Sequence, residues 1–300
     1  GWEVFNGRDP RDPADTAPID GAPISAGNAH SLMKLPDGSV LAWGENGGGR
    51  TGLGTTEGCQ PTVARVLGLG GQGFLGNVAA VAAGYEFSLA LEAGMTEAAW
   101  GRNGYGMLGD GTTALSVVPV QIHGEEDAGF LSNAVMTAGG RDHSLAVLQD
   151  GSVRAWGANG AGQLGDGTTS GSRYPIPVVG EEGAGLLGRI VAVAAGCNHS
   201  LALDADGCVW AWGANGRSQL GDGATVNRKT PGRVLSPDGS GVLSNIVAVS
   251  AGNYFSMALD AFGGLWTWGY GADGRLGDGE STRRALPVRV HGVDDMGFLE

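Results

Sequence analysis

Histidine is the residue type in this sequence whose spacing comes nearest to a chemical site. Three imidazoles that could ligate zinc each begin an "HS" pair, with a serine that could act as a nucleophile, at His30, His143 and His199. The matching positions in two further copies are Phe87 and Phe255, which bind no metal. The pattern places no third catalytic group. We therefore interpret the histidines as packing or backbone-bonding residues and predict a non-enzymatic protein with no metal site and no cofactor.

A second pattern places one aspartate in each "LGDG" segment, at Asp110, Asp166, Asp222 and Asp278. Calcium takes six to eight oxygen ligands, so one carboxylate per copy is poor coordination, and we predict that each aspartate caps its own turn. The second residue after the Trp-Gly pair is asparagine in four copies and glycine in the fifth, at Asn46, Asn103, Asn159, Asn215 and Gly271. Because both residue types tolerate left-handed backbone angles, we predict such angles at this position.

These motifs belong to a repeat with a period of about 56 residues. Its clearest markers are the tryptophans of five Trp-Gly pairs, Trp43, Trp100, Trp156, Trp212 and Trp268. Each copy carries four short β signals, which in the fourth copy fall at 190–196, 199–204, 208–213 and, more weakly, 231–235. Four strands per unit, repeated about a centre, describe a propeller blade, with the tryptophans between neighbouring blades. We predict an all-β fold, a β-propeller of four-stranded antiparallel blades.

The turn between the second and third strands carries a glycine in every copy. Asp37-Gly38 and Asp150-Gly151 are pairs that favour positive φ and join antiparallel strands. The second copy has Gly94-Met95 instead. Because glycine comes first there, we predict the mirror turn of the other type.

The segment "AGCNHSLALDADGCVWAWGANGRSQLGDG" (195–223) resembles the repeat of the regulator of chromosome condensation (RCC1-like) family. The resemblance extends over about residues 22–300 and implies a β-propeller with seven blades when complete. Members of that family include an exchange factor for a small GTPase, ubiquitin ligase modules, a plant light receptor and a bacterial β-lactamase inhibitor. One fold therefore serves unrelated functions, and the resemblance implies architecture while leaving function open.

Five repeats occupy residues 22–300, and residues 1–21 have the pattern of a degenerate partial blade or closing segment. Because the sequence stops where another inner strand would begin, we expect an excerpt of a longer, six- or seven-bladed chain. An open blade edge would expose apolar surface, so we expect either a monomer or self-association through that edge.

Composition narrows the classes of partner. The formal net charge is −13 and the pI is near 4.7, which argues against nucleic acid as a ligand. No apolar run reaches transmembrane length, so we expect no membrane insertion. Cys59, Cys197 and Cys208 lack zinc-type spacing, and we expect free thiols. The alanine- and glycine-rich composition favours a secreted or cell-surface bacterial protein over a cytoplasmic one.

The residues that differ between copies are the candidates for binding. If the strands of a blade are A to D outward from the centre, the A–B and C–D loops share one face. We predict that these loops bind a protein partner, because their neighbours are nearly invariant while they vary in size, charge and aromaticity. The predicted partner-binding residues are Asn28, Tyr85, Glu86, Tyr105, Arg141, Asp142, Asn198, Arg217, Asn253 and Tyr254.

The D–A loops belong to the opposite face and are acidic, with Glu125-Glu126-Asp127, Glu181-Glu182, Asp238 and Asp294-Asp295. They could steer a basic partner, although a plain solubility role is the simpler interpretation. A non-enzymatic protein-binding scaffold is our leading functional hypothesis. The alternatives are a guanine-nucleotide exchange factor for a small GTPase, or a secreted enzyme inhibitor or surface module of a larger bacterial protein.

Overall fold

The structure is a computed structural model of the 300-residue chain and describes residues 23–292 and 297–299. Within these ranges, twenty strands form five antiparallel sheets of four strands each. The strands of each sheet are hydrogen-bonded in chain order, so the predicted blade construction is confirmed. The predicted partial blade at residues 1–21 lies outside the described residues.

The described residues form two compact units. The first runs to Gln149 and adds Arg154–Ala158 and Gly171–Ile176, and the second comprises Asp150–Val153, Asn159–Ser170 and the chain from Pro177 onward. The first unit contains blades 1 and 2 and nearly all strand residues of blade 3, and the second contains blades 4 and 5.

The strands of blade 1 are β1 (Ile24–Ala26), β2 (His30–Lys34), β3 (Val40–Glu45) and β4 (Cys59–Arg65). Those of blade 2 are β5 (Val78–Ala83), β6 (Phe87–Glu92), β7 (Glu97–Gly101) and β8 (Ser116–Gln121). Those of blade 3 are β9 (Ala134–Gly139), β10 (His143–Leu148), β11 (Val153–Gly157) and β12 (Ser172–Pro177).

The strands of blade 4 are β13 (Ile190–Ala195), β14 (His199–Asp204), β15 (Val209–Gly213) and β16 (Arg228–Arg233). Those of blade 5 are β17 (Ile246–Ala251), β18 (Phe255–Asp260), β19 (Leu265–Gly269) and β20 (Arg284–Arg289). The fourth strand of blade 4 begins at Arg228, three residues before the β signal that the sequence carries at 231–235. Helical structure in the described part of the chain is limited to 3-10 turns at Leu69–Gly71, Glu125–Asp127, Glu181–Gly183 and Ala272–Gly274.

Four of the five repeated tryptophans join consecutive blades, as predicted, while Trp43 in blade 1 is half-buried. Trp100, Trp156, Trp212 and Trp268 are fully buried, and each indole Nε1 donates a hydrogen bond to a backbone carbonyl in the C–D loop of the preceding blade. Trp100, for example, donates to the Arg50 carbonyl at 3.0 Å. A buried indole that satisfies its N–H in this way contributes both packing area and orientation to the contact between blades.

The histidines pack between blades, and their contacts agree with the packing interpretation. His30 Nε2 lies 2.9 Å from Ser88 Oγ, and the Ser88 hydroxyl donates to the Arg50 carbonyl. Ser88 therefore accepts from His30 Nε2–H. In blade 4, His199 and Ser256 repeat the arrangement at 3.0 Å. The described residues contain no group of three His, Cys, Asp or Glu side chains arranged to hold a metal ion.

The prediction for the Gly94-Met95 turn is wrong. Gly38 and Gly151 adopt φ of 77° and 78°, as expected. In blade 2 it is Met95, not Gly94, that adopts positive φ, at 61°. The turn therefore keeps the conformation of the other copies, and methionine occupies the position that glycine fills elsewhere. The register of the flanking strands fixes the turn conformation, and the turn keeps that conformation even where methionine replaces glycine.

Candidate protein-binding loops

A backbone hydrogen bond brings the A–B loop of each blade to the start of its C–D loop. Tyr270 N donates to the Tyr254 carbonyl at 2.9 Å, and Arg102 N donates to the Glu86 carbonyl at 3.0 Å. The sheet register explains this contact, because the first residue of strand B pairs with the last glycine of strand C, as Phe255 does with Gly269. Each blade therefore presents its two most variable segments side by side at one edge of its sheet.

The C–D loop is held by an asparagine–aspartate pair. In blade 2, Asn103 Nδ2 donates to Asp110 Oδ1 at 3.0 Å, and Asn103 Oδ1 accepts from the Leu108 N–H. Asp110 Oδ1 also accepts from the Thr112 N–H, so the prediction that this aspartate caps its own turn is confirmed. The same amide–carboxylate contact recurs in blades 3 and 4, between Asn159 and Asp166 and between Asn215 and Asp222.

The prediction of left-handed backbone angles at these asparagines is wrong. Asn103 is buried and does not have positive φ, and the left-handed residues of the loop are three glycines, Gly106, Gly109 and Gly111, with φ of 82°, 67° and 76°. Asn46, Asn159 and Asn215 likewise keep negative φ, and so does Gly271. Asparagine is therefore selected for its side chain, which satisfies loop backbone groups that a blade interior would otherwise leave unpaired.

In the first unit, five side chains of the A–B and C–D loops form what we call the first loop cluster: Tyr85, Glu86, Arg102, Arg141 and Asp142. The Glu86 carboxylate forms ion pairs with Arg102 and with Arg50, the latter at 3.2 Å. Arg141 Nε lies 3.5 Å from Asp142 Oδ2, and the Arg141 guanidinium carbon lies 5.7 Å from the centroid of the Tyr85 ring. The positive and negative side chains of this cluster therefore neutralise one another.

Electrostatics in the first loop cluster follow from this pairing. Partial burial opposes ionisation of Glu86, yet the hydrogen bond from Arg102 and the charges of Arg102 and Arg50 hold the pKa of Glu86 below its ordinary value. Burial raises the pKa of Asp142, and Arg141 and Arg102 counteract only part of that effect. Tyr105 lies on the C–D loop of blade 2, as Arg102 does, and is 53% exposed.

In the second unit, four side chains form what we call the second loop cluster: Arg217, Tyr254, Tyr270 and Arg275. The guanidinium carbons of Arg217 and Arg275 lie 4.7 and 4.8 Å from the Tyr270 ring centroid. Tyr254 meets Tyr270 edge to face, with centroids 6.4 Å apart. Two cation–π contacts on one ring orient both arginines, and the cluster joins aromatic surface to positive charge.

The predicted partner-binding residues differ in their exposure to solvent. Asn28, Arg141, Arg217, Asn253 and Tyr254 are exposed, whereas Tyr85, Glu86, Asp142 and Asn198 are half-buried. Cys197, which precedes Asn198 in its A–B loop, is buried, so blade 4 offers less loop surface than its copies. None of the three described cysteines, Cys59, Cys197 and Cys208, forms a disulfide bond.

Tyr270 was absent from the predicted set, although a sequence signal pointed to it. The position after the Trp-Gly pair is occupied by Glu45, Arg102, Ala158, Ala214 and Tyr270 in the five copies. It is therefore as variable as the A–B loops, and the backbone contact described above places it beside them.

The acidic D–A loops lie at the opposite edge of each sheet. Glu126 and Glu182 are exposed in the middle of their 3-10 turns, with φ of 50° and 52°. Hydrogen bonds from Ser236 and Ser240 lower the pKa of the exposed Asp238 carboxyl to about 2. Glu125 pairs with Arg154, which reduces the negative charge of its loop. Asp294 and Asp295 lie outside the described residues.

The five four-stranded sheets and the blade-joining tryptophans define a β-propeller protein. Residues 6–298 match the family model of the RCC1-like domain, so the chain belongs to the RCC1-like family. No helix in the described ranges has the length and apolar character needed to span a membrane.

Relatives with this fold include proteins of different functions. The chain is 30% identical to the Arabidopsis thaliana ultraviolet-B receptor UVR8, over 92% of this chain and 71% of that protein. It is 29% identical to the human E3 ubiquitin-protein ligase HERC2, over 90% of this chain and only 5% of the ligase.

Solved structures give the same architecture. Human WBSCR16 superposes with a TM-score of 0.76 at 26% identity, covering 90% of this chain and 67% of that one. Yeast RCC1 (Prp20), solved bound to Kap60, gives a TM-score of 0.62 at 18% identity, over 90% of this chain and 74% of that one. At that identity the yeast protein supports the fold alone.

Proposed function

We propose that this chain is a non-enzymatic protein-binding propeller whose A–B and C–D loops recognise a protein partner. The observation that carries the proposal is the contrast within each blade. Tryptophan and the Gly-rich turns recur in all five copies and the Asn–Asp pair recurs in blades 2, 3 and 4, while the adjoining loop residues differ from copy to copy. Packing requires sameness, whereas residues that packing leaves free to vary are where recognition concentrates.

The composition of the two loop clusters supports the proposal. Tyrosine and arginine supply much of the binding energy at protein interfaces, and they make up most of both clusters. The RCC1-like relatives agree with a binding role for the domain, because the same repeat occurs in proteins as different as an ultraviolet-B receptor and a ubiquitin-protein ligase.

The test removes one side chain of the A–B loop from each of three blades, namely blades 2, 3 and 5. Tyr85, Arg141 and Tyr254 are replaced together by alanine, and the purified chain is used to capture proteins from an extract of cells that produce it. We expect the captured proteins to fall by about tenfold or more, as for loss of interface anchors. The fold should persist, since none of the three is part of a blade core, and circular dichroism checks this.

A matched control replaces three exposed acids of the D–A loops, Glu126→Gln, Glu181→Gln and Glu182→Gln. This control should capture as much as the wild type. If the triple alanine variant captures the same proteins in the same amounts as the wild type, the A–B and C–D loops are not the binding surface.

A further inference from the structure

The two loop clusters differ in how their charges are balanced. In the first, Arg102 pairs with Glu86 and Arg141 with Asp142. In the second, Arg275 pairs only with Asp273, which is 85% exposed. Within residues 23–292 and 297–299, no carboxylate lies at ion-pair distance from Arg217, whose contact is the Tyr270 ring. The second loop cluster therefore carries positive charge that the chain itself does not neutralise.

Tyr270 holds the two guanidinium groups close together. Since each lies under 5 Å from the ring centroid, they are closer to each other than the Debye length of about 10 Å at 0.1 M salt. Like charges at this separation repel, and an anion placed between them relieves the repulsion. Asp273 pairs with Arg275 and not with Arg217, and the A–B loops of blades 4 and 5, Cys197-Asn198 and Asn253-Tyr254, supply no carboxylate to Arg217.

We propose that the second loop cluster binds an acidic segment of the protein partner, one that presents at least two Asp or Glu side chains to Arg217 and Arg275. This inference rests on the proposed function and gives the partner its chemistry. A guanidinium binds a carboxylate through two parallel hydrogen bonds, and cation–π contacts hold both arginines in place before binding. Tyr254 and Tyr270 add apolar contact beside the charges.

The acidic character of the whole chain makes the cluster specific. With a net charge of −13, most of the surface repels an acidic segment, so few other places on the chain can bind one. Binding should therefore depend on this one cluster and weaken as salt screens the arginines.

The experiment uses a fluorescein-labelled peptide of alternating Glu and Gly, and the same peptide with Gln in place of Glu. Fluorescence anisotropy at low salt measures the affinity of the full chain for each. We expect saturable binding of the Glu peptide, at least about tenfold tighter than that of the Gln peptide. The double variant Arg217→Gln, Arg275→Gln should lose that preference.

The matched control is Arg65→Gln with Arg189→Gln, which removes two exposed arginines that lie outside both loop clusters. Because these pair with Asp37 and Asp206, their loss should leave the affinity for the Glu peptide unchanged. Arg217→Gln alone serves as the second variant, since this exposed side chain lies outside the blade cores. It should weaken binding of the Glu peptide with an unchanged melting temperature.

Equal binding of the Glu and Gln peptides would overturn the inference, and so would an equal loss in the two double variants. The result is separable from the test of the proposed function. If the triple alanine variant loses captured proteins while the Glu peptide does not bind, the loops are the binding surface and the acidic chemistry is wrong. If the Glu peptide binds the second loop cluster and capture is unaffected, the proposed function fails instead.

Discussion

Blades 1 and 2 follow one another in the chain and lie in the same unit. Three of the positions at which they differ lie at the start of strand B, at the start of strand C and in the turn between these strands. The ring at the start of strand B is His30 in blade 1 and Phe87 in blade 2. Strand C begins with Val40 in one blade and Glu97 in the other. The turn before it has a glycine at positive φ in blade 1 and Met95 in blade 2.

The ring position shows that shape is conserved between copies while chemistry is not. A Cβ on Gly27 would lie 2.4 Å from His30 Cε1, and a Cβ on Gly84 would lie 2.2 Å from Phe87 Cε1. Either flat ring therefore rests on a glycine, which explains why that glycine opens the segment in every copy. The two rings differ in that only histidine can be protonated.

The other two differences place unfavourable residues in blade 2. Glu97 is fully buried, and neither carboxylate oxygen forms a hydrogen bond of regular geometry, although the Thr137 hydroxyl is near enough to offset a small part of the effect of burial on its pKa. The other copies have Val153, Val209 and Leu265 at this position, besides Val40 in blade 1. Met95 adopts a left-handed conformation that L-residues with a Cβ reach only at a cost. Blade 2 therefore tolerates two local defects because the rest of the repeat over-determines its fold.

The largest effect we predict comes from His30→Phe, which gives blade 1 the ring of blade 2. Burial and the nearby Arg50 charge lower the pKa of His30 to about 4, so the imidazole stays neutral in the folded protein while the unfolded chain takes up a proton. The wild type therefore loses stability as pH falls from 6.5 towards 4, by about 3 kcal/mol from this residue. His30→Phe should remove that share of the loss, measured as the free energy of unfolding in urea at pH 7.5, 5.5 and 4.5.

The reciprocal variant is the control for this prediction. Phe87→His should introduce a new loss of stability at acidic pH. If wild type and His30→Phe lose stability in parallel as pH falls, the buried imidazole is not the cause of acid sensitivity.

The next effect is Glu97→Val, which gives blade 2 the residue of blade 1. Burial raises the pKa of Glu97 well above its ordinary value, so the folded protein holds a proton that the unfolded chain releases. Stability from this group is present at acidic pH and is lost as pH rises towards the folded-state pKa. Glu97→Val should raise the free energy of unfolding by about 2 kcal/mol at pH 7, because an unpartnered polar group is no longer buried. Urea unfolding at pH 5, 7 and 8.5 should show the gap widening with pH.

Glu97→Gln separates the two causes. It removes the titrating carboxyl but keeps a polar group in the same place. The free energy of unfolding of this variant should therefore depend less on pH than that of the wild type, and it should stay below that of Glu97→Val. An advantage of Glu97→Val that shrinks as pH rises would contradict the assignment.

The sequence was sufficient to predict the blades because their signals are periodic and local. The tryptophans, the Asp-Gly turns and the aspartate caps each recur in phase, and each acts within a few residues or at a fixed place between blades. Trp100 and Asp110 accordingly lie in the environments that were predicted for them.

The sequence was insufficient where two physical explanations fit one residue type. Asn103 suits either a left-handed turn or a side-chain cap, and only its contact with Asp110, seven residues on, decides between them. Tyr270 becomes part of a cluster through side chains from two C–D loops, Arg217 and Arg275, and no local pattern encodes where those side chains point. The same limit applies to the partner-binding residues, which stay a prediction.

The smallest effect we predict concerns the turn, through Met95→Gly. Relief of the left-handed strain at methionine favours the variant by about 1 kcal/mol, while the greater freedom of glycine in the unfolded chain cancels part of this gain. We expect a net stabilisation of about 0.5 kcal/mol, seen as a small rise in melting temperature. The reciprocal exchange in blade 1 should have a larger effect. Gly38 has φ of 77°, and a Cβ at this residue would lie 3.1 Å from Asn77 N. Gly38→Met should therefore destabilise by more than Met95→Gly stabilises, and equal and opposite shifts would show that the close contact at Gly38 has no cost.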